Sequence, residues 1–291
     1  MSEWNAWISA GGRTVAIASE GVPDGPSLFA EKLKGWWSTP QAKVSMTELS
    51  QGDGSHAIAE TDVLYSSRTV TLDVLARGRR RSEVQEAMES LLWMAHRIVT
   101  LRVADAASDT YATGYLEVAS DSGKALEHRE ELSLTIVCPD PRRYGSAEKT
   151  AYMRPAAQST GGLLYSSSGV LQLPLAFHGT TEAGSCTATL HNSGTSTAYS
   201  IITTVGKMSD FAIRDVSGIG ELRYGGTAWP QAPITIDCLR RVATCNGVDV
   251  TRQLTARTFP AIPAGGSITV TCSATADSSA GIRAEWRDTY I

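Results

Sequence analysis

The chain has 291 residues, 42% of them hydrophobic and 19% charged, with a formal net charge of −4. That balance belongs to a soluble folded protein of about two domains, and it excludes a global basic field that would gather nucleic acid or an anionic membrane. No stretch is apolar for the width of a bilayer, and MSEWNAWISAGG lacks the basic start and apolar run of a secretory signal, so the chain reads as made and folded in a cytoplasm.

Twenty-six glycines with many Thr, Ser and Val lean toward β structure with tight turns. Residues 4–8 and 14–18 flank a Gly-rich turn and read as a hairpin. GVPDGP makes residues 20–35 a loop, residues 43–49 read as a short strand, and QGDGSH at 51–56 as a second loop. From residue 67 to 75, Val70, Leu72 and Val74 alternate with Thr69, Thr71 and Asp73, the period of a half-buried strand. Residues 82–99 form the one strong helix. Ser82 with Gln85 makes a capping-box pattern, Glu83 and Glu86 suit the positive end of the helix dipole, and Val84, Ala87, Met88, Leu91, Ala95 and Ile98 form one stripe.

Strands at 100–104, 111–119 and 130–138 follow. In the last, Leu132, Leu134, Ile136 and Cys138 share a face, and Pro139 and Pro141 then end the sheet. Residues 1–147 therefore read as a β domain with one packed helix, and residues 148–164, small and polar, as a linker. Residues 165–291 carry strand signals only: 185–190, 200–205, 211–215, 221–224, 234–239, 267–272 and 282–287. An Asn246–Gly247 hairpin signal and a PAGG turn at 263–266 punctuate them. Short strands with frequent turns point to a β-sandwich, so the fold class is mainly β.

Chemistry-bearing patterns are scarce. The five cysteines form no CxxC, and Cys138, Cys238 and Cys272 sit in apolar alternating runs as core residues; a Cys238–Cys245 bridge is conceivable across a bend. The five histidines lie far apart, and GDGSH lacks the further ligands of a calcium loop. No catalytic residue, cofactor or metal site is assigned, which favours a non-enzyme. RGRRR, residues 77–81, is the densest basic cluster and reads either as a solvated loop or, through Arg79, Arg80 and Arg81, as a contact with an acidic neighbouring subunit. Arg142, Arg143 and Tyr144 follow the proline stop and are expected to anchor the domain exit against its own domain or an adjacent subunit. Tyr224 and Trp229 lie near sandwich turns, where exposed aromatics stack on sugar rings; a core placement is the alternative.

The layout has a family likeness. A β domain with one helix after a basic turn ends on CPDPRRYG (138–145). HNSGTSTAY (191–199), GIGELRYGG (218–226), ITIDC (234–238), NGVDVT (246–251), FPAIPAGGSITV (259–270) and WRDTYI (286–291) then follow in order. This resembles the distal tail protein family of long non-contractile-tailed bacteriophages, also called minor tail or tail tip hub proteins.

The resemblance implies a first domain related to tail tube proteins, forming a homo-hexameric ring, and a galectin-like or carbohydrate-module-like sandwich projecting outward. It implies a virion protein of the tail tip, made in the host bacterial cytoplasm, with the tail tube protein, the tape-measure protein and a tail-tip protein as partners. DNA would cross its channel without specific binding. The chain lacks a long insertion of the kind that carries receptor-binding modules in some members. A protein of another class, a carbohydrate-binding module acting in host-surface adhesion, is the alternative. Ring closure needs one patch to meet a different patch on the next copy, and the first domain's sheet edges are the expected supplier.

Overall fold

The computed structural model describes residues 4–18, 27–59, 63–120, 129–155, 186–217, 220–277 and 279–291. It divides into two compact units. Residues 1–146 with Tyr290 and Ile291 form the first, and residues 147–289 the second.

The first unit contains β1 (Trp4–Ala10), β2 (Arg13–Ala18), β3 (Ser27–Lys34), β4 (Ala42–Lys43), β5 (Leu64–Tyr65) and β6 (Arg68–Arg77). Helix α1 (Arg81–Leu92), β7 (Ile98–Asp105), β8 (Asp109–Ser120), β9 (Arg129–Cys138) and β10 (Arg143–Gly145) complete it. One sheet runs β10-β8-β7-β1-β2-β3-β6-β9, and β8 also pairs with β9, from Tyr115↔Val137 to Ser120↔Leu132. That second pairing closes seven strands into a barrel. The seam between β2 and β3 is thin, a single parallel pair at Ala18↔Phe29, and β10 extends the sheet outside the ring, with the C-terminal strand beside it.

Closure rests on a close approach at Gly114, which pairs with Val99 in β7. A Cβ there would drive into the backbone carbonyl of Val137 on β9, so β8 can press against both neighbours only with glycine at this point. Inside, alternate residues fill the barrel: Ala6 and Ile8 of β1, Val70, Leu72 and Val74 of β6, Leu101 of β7, and Leu134 and Ile136 of β9. Val84, Ala87 and Leu91 of α1 join the same core, where the helix packs on β3, β6 and β9.

Three expectations for this unit need correction. Residues 27–34, read as part of a loop, form β3, whose Leu28 and Ala30 face the core; the Gly-Pro run upstream masks the alternation. The helix is shorter than 82–99. Ser82 does not cap it: Arg80 is the N-cap without a side-chain bond, and Glu83 instead accepts the Arg79 N–H at 2.7 Å. Its other end stops because His96 takes a positive φ of 58° and donates its N–H to Leu116 O, turning the chain into β7. Ile98 leaves the helical stripe for the surface of that strand. The strand read at 43–49 is only the short β4, with an isolated bridge between Glu48 and Ser55.

The second unit begins with β11 (Lys149–Met153), so the first residues of the supposed linker are a strand; residues 156–164 of it lie outside the described residues. Then come β12 (Thr187–His191), β13 (Ala198–Tyr199), β14 (Ile201–Val205), β15 (Met208–Asp215), β16 (Glu221–Tyr224) and β17 (Thr227–Ala228). β18 (Ile234–Asp237), β19 (Val242–Cys245), β20 (Val248–Asp249), β21 (Leu254–Arg257), β22 (Ala261–Ile262), β23 (Ser267–Ala276) and β24 (Gly281–Trp286) follow. Finally β25 (Thr289–Tyr290) runs beside β10. One six-stranded sheet has the order β11-β24-β14-β18-β19-β20. A second has β12-β23-β15-β16-β21, with β17 on β15. Ile202, Ile236 and Ile282 from the first sheet and Ile213, Leu222 and Val270 from the second share one core. The Asn246–Gly247 turn joins β19 to β20 with both residues at positive φ, the geometry that a two-residue hairpin demands.

Asn192, in the HNSG stretch, is fully buried and fully used. Its Oδ1 accepts the N–H groups of Gly194 and Thr289, and its Nδ2 donates to the carbonyls of Ser196 and Pro263. It thereby ties three chain segments together. Asn192→Ala is expected to lower the stability of this unit by about 2–3 kcal/mol, because buried backbone groups lose their partners; urea unfolding followed by tryptophan fluorescence checks this.

All five cysteines are free, so no Cys238–Cys245 bridge forms. Burial raises the thiols of Cys138 to about 11 and of Cys238 and Cys272 to about 12, from an ordinary 9.0. The folded state holds these protons more tightly than the unfolded one. Their contribution to stability is whole below pH 9 and falls away as pH climbs toward 11–12. Urea midpoints measured at about pH 8 and about pH 10.5 should therefore drop at the higher pH, while thiol reagents reach these three residues only on unfolding.

Candidate assembly surface and domain exit

The basic residues expected to act at an interface fall into two groups. Arg77 and Arg68 end the same strand, β6, roughly 30 Å apart at about 3.3 Å per residue. The Arg79–Arg81 loop follows the first end, and the exit residues 139–145 gather at the other. The structure does not bring them into one patch.

Within the loop, the three arginines differ. Arg79 and Arg80 are exposed ahead of α1. Arg81 reaches inward, and its Nη1 meets Glu130 Oε2 at 2.7 Å. Glu130 occupies an inward-facing position of β9 and is itself buried, so Arg81 neutralises a carboxylate at the rim of the barrel core. Arg81 thus makes an ion pair within its own unit while its side chain stays about half exposed.

At the exit, Tyr144 donates its hydroxyl to Asp140 Oδ2 at 2.6 Å, and its ring lies 5.9 Å from that of Tyr111. Burial first, and the Asp140 hydrogen bond and charge second, push the phenol far above its ordinary range. Asp140 also accepts the backbone N–H of Arg142, which shapes the turn after the prolines. Arg143 is 8% exposed, with its guanidinium 5.6 Å from the centre of the Trp36 ring and 6.0 Å from that of Tyr290. It anchors the exit within the first unit.

Arg68 completes this anchor, and no motif singles it out. It is 1% exposed at an inward-facing position of β6. Its Nε donates to Pro141 O at 2.8 Å, and its Nη1 to the carbonyls of Gly35, Trp36 and Ser38 at 2.6, 3.0 and 2.8 Å. One guanidinium thus ties the turn after β3 to the domain exit. That turn needs Gly35 at φ 80°, where a Cβ would strike Thr69 O. Burial, and then the nearby Arg143, lower Arg68 to about 10. The one sequence signal for it is phase: Arg68 continues the inward series Val70, Leu72, Val74.

The two aromatics considered for sugar stacking separate. Tyr224 is 3% exposed, stacks on Phe211 at 5.3 Å between ring centres, and donates its hydroxyl to Gln253; it is a core residue. Trp229 is 45% exposed, with Lys207 Nζ 5.0 Å from its ring centre. The pair forms no joint platform. Among the described residues, no group of three or more His, Cys, Asp or Glu side chains is placed to hold a metal, and no helix is long and apolar enough to cross a membrane. His178 and His128 lie outside the described residues.

Neither a protein-family model nor a curated protein sequence matches the chain. Solved structures do. The SPP1 Dit (gp 19.1) protein, described as a paradigm of the hub adsorption apparatus in phages infecting Gram-positive hosts, superposes with a TM-score of 0.62. The alignment covers 98% of this chain and 99% of that one, at 12% identity. The chain has the fold of a phage hub protein. A chain of the phage P2 baseplate in its activated conformation, solved with Ca and again with Sr, matches at a TM-score of 0.52 and 10% identity, covering 98% of both chains. The same fold is thus reached with little sequence identity.

The local geometry separates the arginines by experiment. Arg81→Met should cost about 1–2 kcal/mol of first-unit stability, since it strands the buried Glu130, a modest figure because the arginine itself is half-exposed. Arg79→Ala and Arg80→Ala should stay within about 0.5 kcal/mol. Thermal unfolding of the three variants measures the contrast.

Proposed function

We propose that this chain is a structural component of a long-tailed bacteriophage tail tip, a hub that joins the tail tube to the tip or baseplate proteins. The observation that carries this reading is the full-length fold match to SPP1 Dit and to the P2 baseplate chain. We extend it to a homo-hexameric ring around the DNA exit channel, contacting the tail tube protein, the tape-measure protein and a tail-tip protein. In this reading the virion tail is its location and catalysis is not its work.

Several features support the extension. The first unit is a closed barrel with a filled interior, suited to repeated tiling. Arg79 and Arg80 are exposed beside the helix and serve as rim contacts to the adjacent copy. Six copies carry a formal charge of roughly −24, so DNA would pass without being held by a global attraction. Trp229 favours a second reading, glycan contact by the second unit, because it is an exposed aromatic.

Mass photometry and negative-stain microscopy of the purified chain, alone and with tail tube protein, test the proposal. Six-membered rings are expected, and Arg79→Glu with Arg80→Glu should shift the population toward single copies while leaving thermal unfolding unchanged. A chain that stays single in both conditions, and binds glycans saturably until Trp229→Ala removes the binding, would overturn it in favour of the adhesion reading.

A further inference from the structure

Two of the five cysteines face each other across a strand pair. β12 and β23 run antiparallel, with Thr187 opposite Thr271, Ala188 opposite Val270 and Leu190 opposite Ile268. One step further along the same register Cys186 stands opposite Cys272, and the Cys272 N–H donates to Cys186 O at 2.8 Å. Their side chains share a face. Leu190, Ala188 and Cys186 make an inward row against Ile268, Val270 and Cys272, while Thr187, Thr189 and His191 are exposed on the other side. Residues opposite one another with a backbone bond have Cα atoms about 5.5 Å apart, inside the roughly 4.4–6.8 Å that a disulfide spans. No other two cysteines are so placed: Cys138 lies opposite Arg68, Cys245 opposite Ile234, and the Cys238 N–H bonds Ser200 O.

The two thiols differ in access. Cys272 is 4% exposed, whereas Cys186 is only partly buried, at the start of the edge strand of its sheet. Burial first, and the Cys186 sulfur second, hold the proton on Cys272, so each sulfur lies within the field of the other. Reactivity follows the thiolate and its exposure, so Cys186 meets an oxidant first and Cys272 is reached only through it. The far end of β12 is already fastened, because His191 O accepts from Lys149 Nζ and Trp286 Nε1. A covalent bond at Cys186 fastens the near end.

We propose that Cys186 and Cys272 are a redox pair that closes into a disulfide within the folded chain and staples the edge strand β12 to β23. The oxidant is a small-molecule disulfide. The Cys186 thiolate attacks one of its sulfurs and expels a thiolate, leaving a mixed disulfide on Cys186. Cys272 Sγ then gives up its proton, attacks Cys186 Sγ and expels the second thiolate. Two protein thiols are oxidised, one disulfide is reduced, and the two cysteine protons end on the two released thiols. A reducing compartment keeps the pair open and an oxidising one closes it. This inference does not rest on the phage reading.

Oxidised glutathione is the probe. The unmodified folded chain is incubated with it, remaining thiols are blocked in denaturant, and peptide mapping without reductant reads the bonds. The peptides carrying Cys186 and Cys272 should appear joined, with the intact chain lighter by two hydrogen atoms, and dithiothreitol should restore both thiols. Cys272→Ala should instead retain one glutathione on Cys186. A Cys186 that stays a free thiol, that stops at the mixed disulfide in the unmodified chain, or that links to any other cysteine would overturn the proposal. The mapping uses the unmodified chain, so it decides the matter even where the variant fails to fold.

Discussion

Closure of the first unit by β8 against β9 is the constraint on which the rest of the molecule depends. It pairs the outer edges of β8 and β9 with each other, and it is permitted by the missing side chain of Gly114 against Val137. Strands paired on both sides offer no ladder to another chain. What projects beside them is the Arg79–Arg80 loop and the excursion between β3 and β6. That excursion exposes Trp37, Met46 and Leu64, and apolar side chains of this size in water mark a surface that gains by being covered.

The same closure explains the buried charges. An inward-facing row of a barrel strand is apolar along its length but meets solvent or a plug at each rim. β6 begins its inward row with Arg68, and β9 begins its own with Glu130. Each rim charge is turned to structural use. Arg81 meets Glu130 where α1 covers the barrel, while Arg68 gathers four carbonyls where the chain leaves for the second unit. The proline-bounded stop after Cys138 is thus the place where a strand's end, a turn and a domain exit share one guanidinium, with Arg143 beside it.

Much of this plan is legible in the sequence, because period-2 alternation reports burial on one face directly. The strands at 67–75, 100–104, 111–119 and 130–138 follow from it. What is not legible depends on contacts between distant segments. β3 hides behind GVPDGP, since turn residues upstream bias a local reading toward loop. The pairing of β8 with β9 is a tertiary register that no local pattern announces. The helix ends early because His96 bonds Leu116 on β8, a partner 20 residues away in sequence. Tyr224 and Trp229, alike in sequence context, differ because Phe211 covers one of them. Arg68 escapes a local reading because a charged residue at an inward position looks like the end of a strand rather than its anchor.

The proposed assembly has one structural consequence: copies would meet through projecting loops and their side chains rather than through the paired barrel strands. Hydrogen–deuterium exchange, compared between dilute chain and the concentrated assembly, tests it most directly. The account predicts new protection confined to residues 37–65 and 77–81, with the amides of the barrel strands unchanged. New protection running along β2, β3 or β9, as an intermolecular ladder would produce, contradicts it.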